Sequence, residues 1–252
     1  MSEVRLLYGS TEPGQEALST DLLWRTGFRA PDAFLAVEFE DGTTVLLVSD
    51  LEFERAKKEC HRSCRVERLS SFSEKAKQQG LKASGIAVVV QFLRDHSVGK
   101  VVVPSNTPSI LYRDLLRAGF EVEIHDSRQG KPFYSQREIK TPEEVELISG
   151  VQYVVEEVVW EVVELLRRST ISANGTLRDR RRGQITAESI RTFMDTRFVQ
   201  QECLATSTII ACGDQAVDPH SIGFGPLRAN LPIVMDVYPR SKVHWYWSDM
   251  SR

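Results

Sequence analysis

Two aspartates near the carboxyl end of the sequence could carry out chemistry. Asp236 interrupts an apolar run at residues 233–238, and Asp249 follows the aromatic run at residues 245–247. A carboxylate in so apolar a strand is costly to bury unless it is paired or bound to a cation. If a turn at residues 239–242 joins two antiparallel strands, the two carboxylates come close together across the ladder. One or two divalent ions of the Mn or Mg type, which prefer oxygen ligands, would then relieve the repulsion between them.

The same residues allow a structural interpretation. Asp236 could form a buried salt bridge to Arg240 or Arg252, with Asp249 an exposed acid near the end of a strand. His220 lies in the sequence Asp218-Pro219-His220, before a stretch rich in glycine and proline. Its imidazole could donate or accept a hydrogen bond near neutral pH, or it could be an ordinary loop residue.

The elements that must position these residues follow from hydrophobic periodicity. The first half predicts alternating strands and helices around a hairpin at Asp41-Gly42, which indicates a layered α/β domain. Its predicted strands are 33–39, 43–49, 100–103 and 121–124, and its predicted helices are 51–59, 84–96 and 107–118. Residues 126–134 are rich in turn formers and predict a linker between domains.

The second half predicts two helices followed by strands. Thr141-Pro142-Glu143-Glu144 forms a capping box, and apolar residues then recur at helical spacing up to Leu165. A loop with a basic cluster at 178–182 follows, and Thr186 caps a second helix that runs to about Gln201. The predicted strands are 206–211, 233–238 and 243–249.

Composition excludes several classes of protein. The 252 residues are 41% hydrophobic and 27% charged, which is typical of globular domains. A net charge of −3 argues against a general nucleic-acid coat, so no nucleic-acid partner is expected. Four cysteines are too few for a disulfide scaffold, and Cys60 and Cys64 are predicted to be structural thiols one helical turn apart. No signal peptide or membrane span is predicted, and we expect a cytoplasmic protein.

Taken together, several motifs resemble the pita-bread metallopeptidases, the family of aminopeptidase P, prolidase, methionine aminopeptidase and creatinase. The motifs are residues 137–145 and 183–188, Asp218-Pro219-His220, Asp236, and Ser248-Asp249-Met250-Ser251-Arg252. The residues before Gln129 are similar to a creatinase-type amino-terminal domain. The resemblance implies an α/β domain at 1–130 and the first half of an α+β pita-bread catalytic domain at 131–252.

The resemblance also implies a function. It implies a metal-dependent aminopeptidase or dipeptidase that hydrolyses peptide bonds next to proline, with two divalent ions such as Mn, Co or Zn. Asp236 and Asp249 would be metal ligands, and His220 would hydrogen-bond the substrate or the tetrahedral species. A peptide substrate and a homodimer are implied, with no membrane partner.

One departure from the family pattern leaves other functions open. In the family, a histidine and two glutamates beyond the second aspartate complete the metal site, and this sequence stops at Arg252. We therefore expect the chain to be truncated at its carboxyl end. The alternatives are a non-catalytic protein that binds a peptide or a partner, and a creatinase-like hydrolase of another C–N bond that works without metal.

Overall fold

The chain folds as two compact units, which are described separately. The structure is a computed structural model that describes residues 2–12, 17–78, 85–181 and 183–252. The first unit is Met1–Glu138 and the second is Ile139–Arg252. Within the described ranges, no helix is long and apolar enough to cross a membrane.

The first unit is a six-stranded mixed sheet with helices on both faces. In spatial order the strands run β4-β3-β2-β1-β5-β6. Strands β1 and β5, β5 and β6, and β3 and β4 pair in parallel, whereas β2 is antiparallel to both β1 and β3. The strands are β1 Ser2–Gly9, β2 Phe34–Phe39, β3 Thr44–Val48, β4 Cys64–Arg68, β5 Val98–Pro104 and β6 Glu121–His125. The helices are α1 Thr20–Thr26, α2 Asp50–Glu59, α3 Leu69–Gln78, α4 Gly85–Asp95 and α5 Ser109–Arg117.

Alternation along the central strands builds two cores, one on each face of this sheet. Val101 and Val103 of β5 lie in one core, and Val102 between them lies in the other. In β1, Leu6 and Leu7 divide in the same way. Because both faces are buried, these strands form continuous apolar runs in the sequence, and the predicted α/β layering is confirmed.

The segment that leaves this sheet is fixed to the first unit. Phe133 and Tyr134 are buried in the same core as α1 and α2, and the Tyr134 hydroxyl donates to Glu38 Oε2 at 2.8 Å. Arg5 Nη1 donates to the Phe133 carbonyl at 3.3 Å. The compact unit therefore extends to Glu138, whereas the sequence places the domain boundary at residue 130.

The second unit packs two helices against short strands. Its helices are α6 Pro142–Arg167 and α7 Ala187–Gln200. Its strands are β7 Thr170–Ile171, β8 Leu177–Asp179, β9 Gly183–Gln184, β10 Cys203–Leu204, β11 Ile209–Cys212, β12 Ile233–Val237, β13 Arg240–Ser241 and β14 Met250–Ser251. The predicted capping box of α6 is present, with Glu144 N donating to Thr141 Oγ1 and Thr141 N donating to Glu144 Oε2.

The core of this unit lies between α6, α7 and the sheet β11-β12-β14. Val155, Val158 and Val162 of α6 are fully buried there, together with Met194 and Phe198 of α7. The valine-rich helix is therefore stabilised by packing rather than by intrinsic propensity.

One predicted strand near the candidate site is wrong. Residues 243–249 form a turn and an irregular segment, and the strand is β14, which begins at Met250. The predicted turn at 239–242 is also displaced, because Arg240 and Ser241 form β13. Trp245 takes a φ of +66°, which is incompatible with a continuous strand.

Other local predictions fail for tertiary reasons. Cys60 ends α2 and Cys64 begins β4, so the two thiols do not share a helix. The predicted loop at 172–183 contains β8 and reaches β9, because Leu177 is buried and its N–H donates to Leu227 O. Elements β1, α1, β4 and α3 were not predicted. The predicted helix start Ser84 and Arg182 of the basic cluster lie outside the described residues.

Candidate metal centre

The two candidate aspartates lie on one antiparallel hairpin with a regular register. Asp236 pairs with Ser251 and Val237 pairs with Met250. The same register continues to the bridge between Arg240 and Trp247, and to the hydrogen bond from Ser241 N to Tyr246 O. Tyr238 is therefore the residue opposite Asp249, two positions along the ladder from the pair formed by Asp236 and Ser251.

Alternation divides the hairpin into two faces, because residues directly opposite each other share a face. The back face carries the buried residues Val237, Pro239, Ser241 and Ser248, with Met250 half-buried. The front face carries Asp236, Tyr238, Arg240, Trp247, Asp249 and Ser251, all half-buried or exposed. Both aspartates therefore point to the same, more open side of the hairpin.

The back face is held by the amino-terminal half of α6. The Tyr246 hydroxyl donates to Glu144 Oε1 at 2.8 Å, and the Ser248 hydroxyl donates to Gln152 Oε1. Because Ser248 precedes Asp249, its hydrogen bond to α6 fixes the backbone from which the second aspartate extends.

The front face places the two carboxylates one ladder step apart. Diagonal neighbours on an antiparallel pair have Cα atoms about 7–8 Å apart, which leaves room for divalent ions between their carboxylates. Ser251 Oγ donates to Asp236 Oδ1 at 2.5 Å, so one oxygen of that carboxylate is already oriented. The register puts the backbone of Asp249 one ladder step from that of Asp236, whereas the predicted strand and turn boundaries are wrong. That the two carboxylates share a metal ion stays a prediction.

The two carboxylates fit a divalent ion in donor type, but by themselves they do not complete its coordination shell. Carboxylate oxygens are suitable ligands for Mn or Mg ions. Across the described part of the chain, no group of three or more His, Cys, Asp or Glu side chains could hold a metal ion. The role of Asp236 and Asp249 as metal ligands therefore stays a prediction.

His220 lies on a separate loop beyond β11. It is exposed in the turn after the short 3₁₀-helix Gly213–Val217, and its backbone N–H donates to Asp218 Oδ1 at 3.0 Å. The loop then runs beside β11, where Ile210 N donates to Ile222 O at 3.1 Å. With β11 between this loop and β12, two strand spacings separate them, about 10 Å.

Helix α7 holds the far end of the His220 loop. Arg191 Nη1 donates to Gly223 O at 2.8 Å, and Gly225 N donates to Glu188 Oε1 at 2.9 Å. The Gly225 N–H holds the pKa of the Glu188 carboxyl below its ordinary value. The loop is thus fixed at Gly223 and Gly225, a few residues beyond His220.

Sequence reasoning missed three residues of the front face: Tyr238, Arg240 and Trp247. The sequence predicts a turn at Arg240 and core or interface packing for Trp247. In the structure Arg240 is half-buried and the Trp247 side chain is 46% exposed. Their places on the front face follow from the strand register, which no local pattern in the sequence fixes.

The fold of the chain is similar to that of several solved peptidases. The X-Pro aminopeptidase from Thermotoga maritima matches with a TM-score of 0.72 and 16% identity, over 100% of this chain and 62% of that one. The Xaa-Pro dipeptidase from Bacillus anthracis matches with a TM-score of 0.70 and 14% identity, over 99% of this chain and 59% of that one. The prolidase from Pyrococcus horikoshii matches with a TM-score of 0.68 and 16% identity, over 100% of this chain and 60% of that one. The chain has the pita-bread peptidase fold over the part that it spans.

The pita-bread similarity is one of structure. No family model and no curated protein matches the sequence. The chain spans about 60% of the length of the solved peptidases it matches. The fold class expected from the resemblance is confirmed, whereas the roles of Asp236, Asp249 and His220 stay predictions.

Proposed function

We propose that this chain forms part of an Xaa-Pro-type metallopeptidase that hydrolyses a peptide bond next to proline. Asp236 and Asp249 contribute two ligands to the metal centre, and the peptide lies over the front face of the hairpin. The identity of the two compact units as a creatinase-like domain and the first half of a pita-bread domain belongs to the same proposal.

One observation carries this proposal: the register of the hairpin. It places two carboxylates at neighbouring levels of one open face, while the opposite face is buried against α6. The fold shared with solved peptidases supports the same assignment.

The chain's own residues then have distinct tasks. Divalent ions bound at Asp236 and Asp249, with further ligands from groups beyond those described, would supply Lewis-acid polarisation of the scissile carbonyl. Ser251 orients one oxygen of Asp236, and Gln152 orients the backbone at Asp249 through Ser248. His220 extends from a loop fixed by α7 and would donate a hydrogen bond to the developing oxyanion.

Metal binding tests the assignment directly. We expect a form of the protein with a complete metal site to bind Mn²⁺ in isothermal titration, and Asp236→Asn or Asp249→Asn in that form to weaken the binding at least tenfold. The neutral amide removes the negative charge that the cation needs while keeping the shape of the side chain. Asp214→Asn is the matched control, because Asp214 is an exposed acid on the 3₁₀-helix of the same unit.

Two results would contradict the proposal. One is the absence of Mn²⁺ binding by the form with a complete metal site, and the other is equal binding by that form and both of its aspartate variants. Hydrolysis of Gly-Pro by a form with a complete metal site is the second readout. There His220→Gln should lower kcat at least tenfold while the amount of bound metal stays unchanged.

The small number of candidate metal ligands favours a second candidate function, that of a non-catalytic peptide-binding protein. Fewer than three candidate metal ligands converge anywhere among the described residues. In that case the front face binds a peptide without hydrolysing it. A form with a complete carboxyl-terminal half that binds Gly-Pro but neither binds Mn²⁺ nor turns Gly-Pro over would establish this candidate.

A further inference from the structure

A small cavity opens at the surface of the second unit. It lies between the turn at residues 172–176, the 3₁₀-helix Gly213–Val217 and the segment 224–228, and its volume is about 350 Å³. All of its lining residues belong to the second unit. Protein cavities that bind small molecules begin at about 300 Å³, so this one has room for one small ligand.

The cavity is separate from the candidate metal centre. The Arg228 N–H donates to Cys212 Sγ at 3.4 Å, which places the backbone of this lining residue at the carboxyl end of β11. Asp236 pairs with Ile209, at the amino end of the same strand. The cavity therefore offers a binding site that the proposed peptidase reaction does not use.

Hydrogen bonds fix the walls of the cavity. Gln215 holds the backbone of Phe224 at two points, since its Oε1 accepts from Phe224 N at 2.7 Å and its Nε2 donates to Phe224 O at 3.1 Å. On the other side, Arg228 Nη2 donates to Asn174 O at 3.2 Å, which joins the guanidinium to the turn at residues 172–176. A ligand would therefore meet groups that are already in place, and this lowers the entropic cost of binding.

The side-chain polar atoms that the lining leaves available are hydrogen-bond donors. Asn174 Oδ1 already accepts from Ser172 Oγ, Thr176 N and Thr176 Oγ1, so its amide nitrogen is the atom that remains. The Arg228 guanidinium gives one N–H to Asn174 O, and no acid within the described ranges pairs with it. Both amide atoms of Gln215 are occupied, and none of the described lining residues is acidic. The cavity thus favours a ligand that brings acceptors and negative charge.

We propose that this cavity binds a small organic anion with a flat apolar body, through the Arg228 guanidinium and the Asn174 amide nitrogen. A guanidinium presents its N–H donors in a planar fork that matches a carboxylate or a phosphate. The Phe224 side chain, which is 69% exposed, and the ring of Pro226 supply an apolar surface for the body of the ligand. A carboxylate and a phosphate monoester share this chemistry, and the experiment distinguishes them.

Isothermal titration of the intact chain in metal-free Tris buffer tests the inference without any turnover. The probes are benzoate, phenyl phosphate and benzamide, of which benzamide is the neutral counterpart of benzoate. We expect saturable binding of at least one anion, at least tenfold tighter than that of benzamide, because only the anions form charge-assisted hydrogen bonds. The anion that binds more tightly identifies the ligand as a carboxylate or a phosphate. No saturable binding of either anion, or equal binding of benzamide, would overturn the inference.

Variants locate the effect at Arg228. Arg228→Gln should weaken binding of the anion at least tenfold, and Arg228→Lys should retain part of the affinity because the positive charge remains. Arg178→Gln is the matched control, since Arg178 is an exposed arginine on β8, and it should bind the anion as the parent chain does. Undiminished binding in Arg228→Gln contradicts the assignment, and far-ultraviolet circular dichroism checks that each variant is folded.

Discussion

At the scale of the residue, the geometry of the candidate site depends on backbone positions that tolerate little change. Gly223 is buried where the His220 loop crosses β11, with a φ of +72°. A Cβ atom on Gly223 would lie 1.8 Å from Ile210 O. No side-chain rotation relieves a clash with a backbone carbonyl, so only glycine fits here.

A matched pair of glycine substitutions separates this clash from the cost of positive φ. Gly225 also has a positive φ, +75°, but a Cβ there would meet nothing within 4 Å. We expect Gly225→Ala to lower the free energy of unfolding by about 1 kcal/mol and Gly223→Ala by about 3 kcal/mol or more. Urea denaturation measures both, and equal losses would show that the loop moves away from β11.

Single residues also show how far sequence reasoning reaches. Asp236 could be selected from sequence because an acid within an apolar run departs from the local pattern, and that departure is visible without knowledge of the fold. Arg240 could not be selected, because the face that it occupies depends on the register of the hairpin. One residue of error in the turn moves every later side chain to the other face.

At the scale of the element, helix α6 is the support against which the hairpin is built. Its amino-terminal half accepts from Tyr246 and Ser248, and its apolar stripe forms much of the core of the second unit. The start of this helix was predictable, because the capping box is local chemistry that needs no tertiary contact. The hairpin contacts of Glu144 and Gln152 are long-range and had no local signal.

The cap of α6 can be tested on its own. Thr141→Ala removes the acceptor for Glu144 N, and we expect the free energy of unfolding to fall by about 1 kcal/mol. Ser149→Ala, at an exposed position inside the same helix, should leave stability unchanged or slightly raised, because alanine is the better helix former. An undiminished stability in Thr141→Ala would show that packing alone fixes the start of the helix.

At the scale of the whole molecule, each compact unit has its own hydrophobic core. The first unit buries both faces of a six-stranded sheet, and the second buries one face of a smaller sheet against two helices. The candidate site lies wholly in the second unit. The first unit holds Cys64 and Tyr134, two ionisable groups whose pKa values are raised by burial.

Stability of the chain should fall as pH rises above 9. Burial raises the pKa of the Cys64 thiol from 9.0 to about 11, and burial with the neighbouring Glu38 raises the pKa of Tyr134. Folding raises the pKa of each group above its value in the unfolded chain. The groups therefore stabilise the fold fully at pH values below the unfolded-state pKa, and this stabilisation is lost as pH rises through the folded-state pKa. We expect ionisation of the Cys64 thiol to lower the free energy of unfolding by about 1 kcal/mol between pH 9 and 11. This figure allows for the partial exposure of the thiol.

Cys64→Ala and Cys64→Ser provide the test of that pH dependence. Both variants lack the titrating thiol, so the difference in unfolding free energy between pH 8 and pH 10.5 should be smaller than in the parent chain by the same amount in each. Urea denaturation at the two pH values gives the measurement. If the free energy of unfolding falls as much in both variants as in the parent chain, groups other than Cys64 cause the loss of stability at alkaline pH.

The sequence by itself determined the α/β layering of the first unit, the capped helix α6 and the two candidate aspartates. These follow from periodicity, capping and the cost of burying charge, all of which act over a few residues or at one site. Only the tertiary structure decided that Phe133 and Tyr134 belong to the first unit, and that Arg240 and Trp247 share a face with Asp249. Those outcomes depend on strand register and long-range packing, which join residues far apart in the chain and leave no local pattern in the sequence.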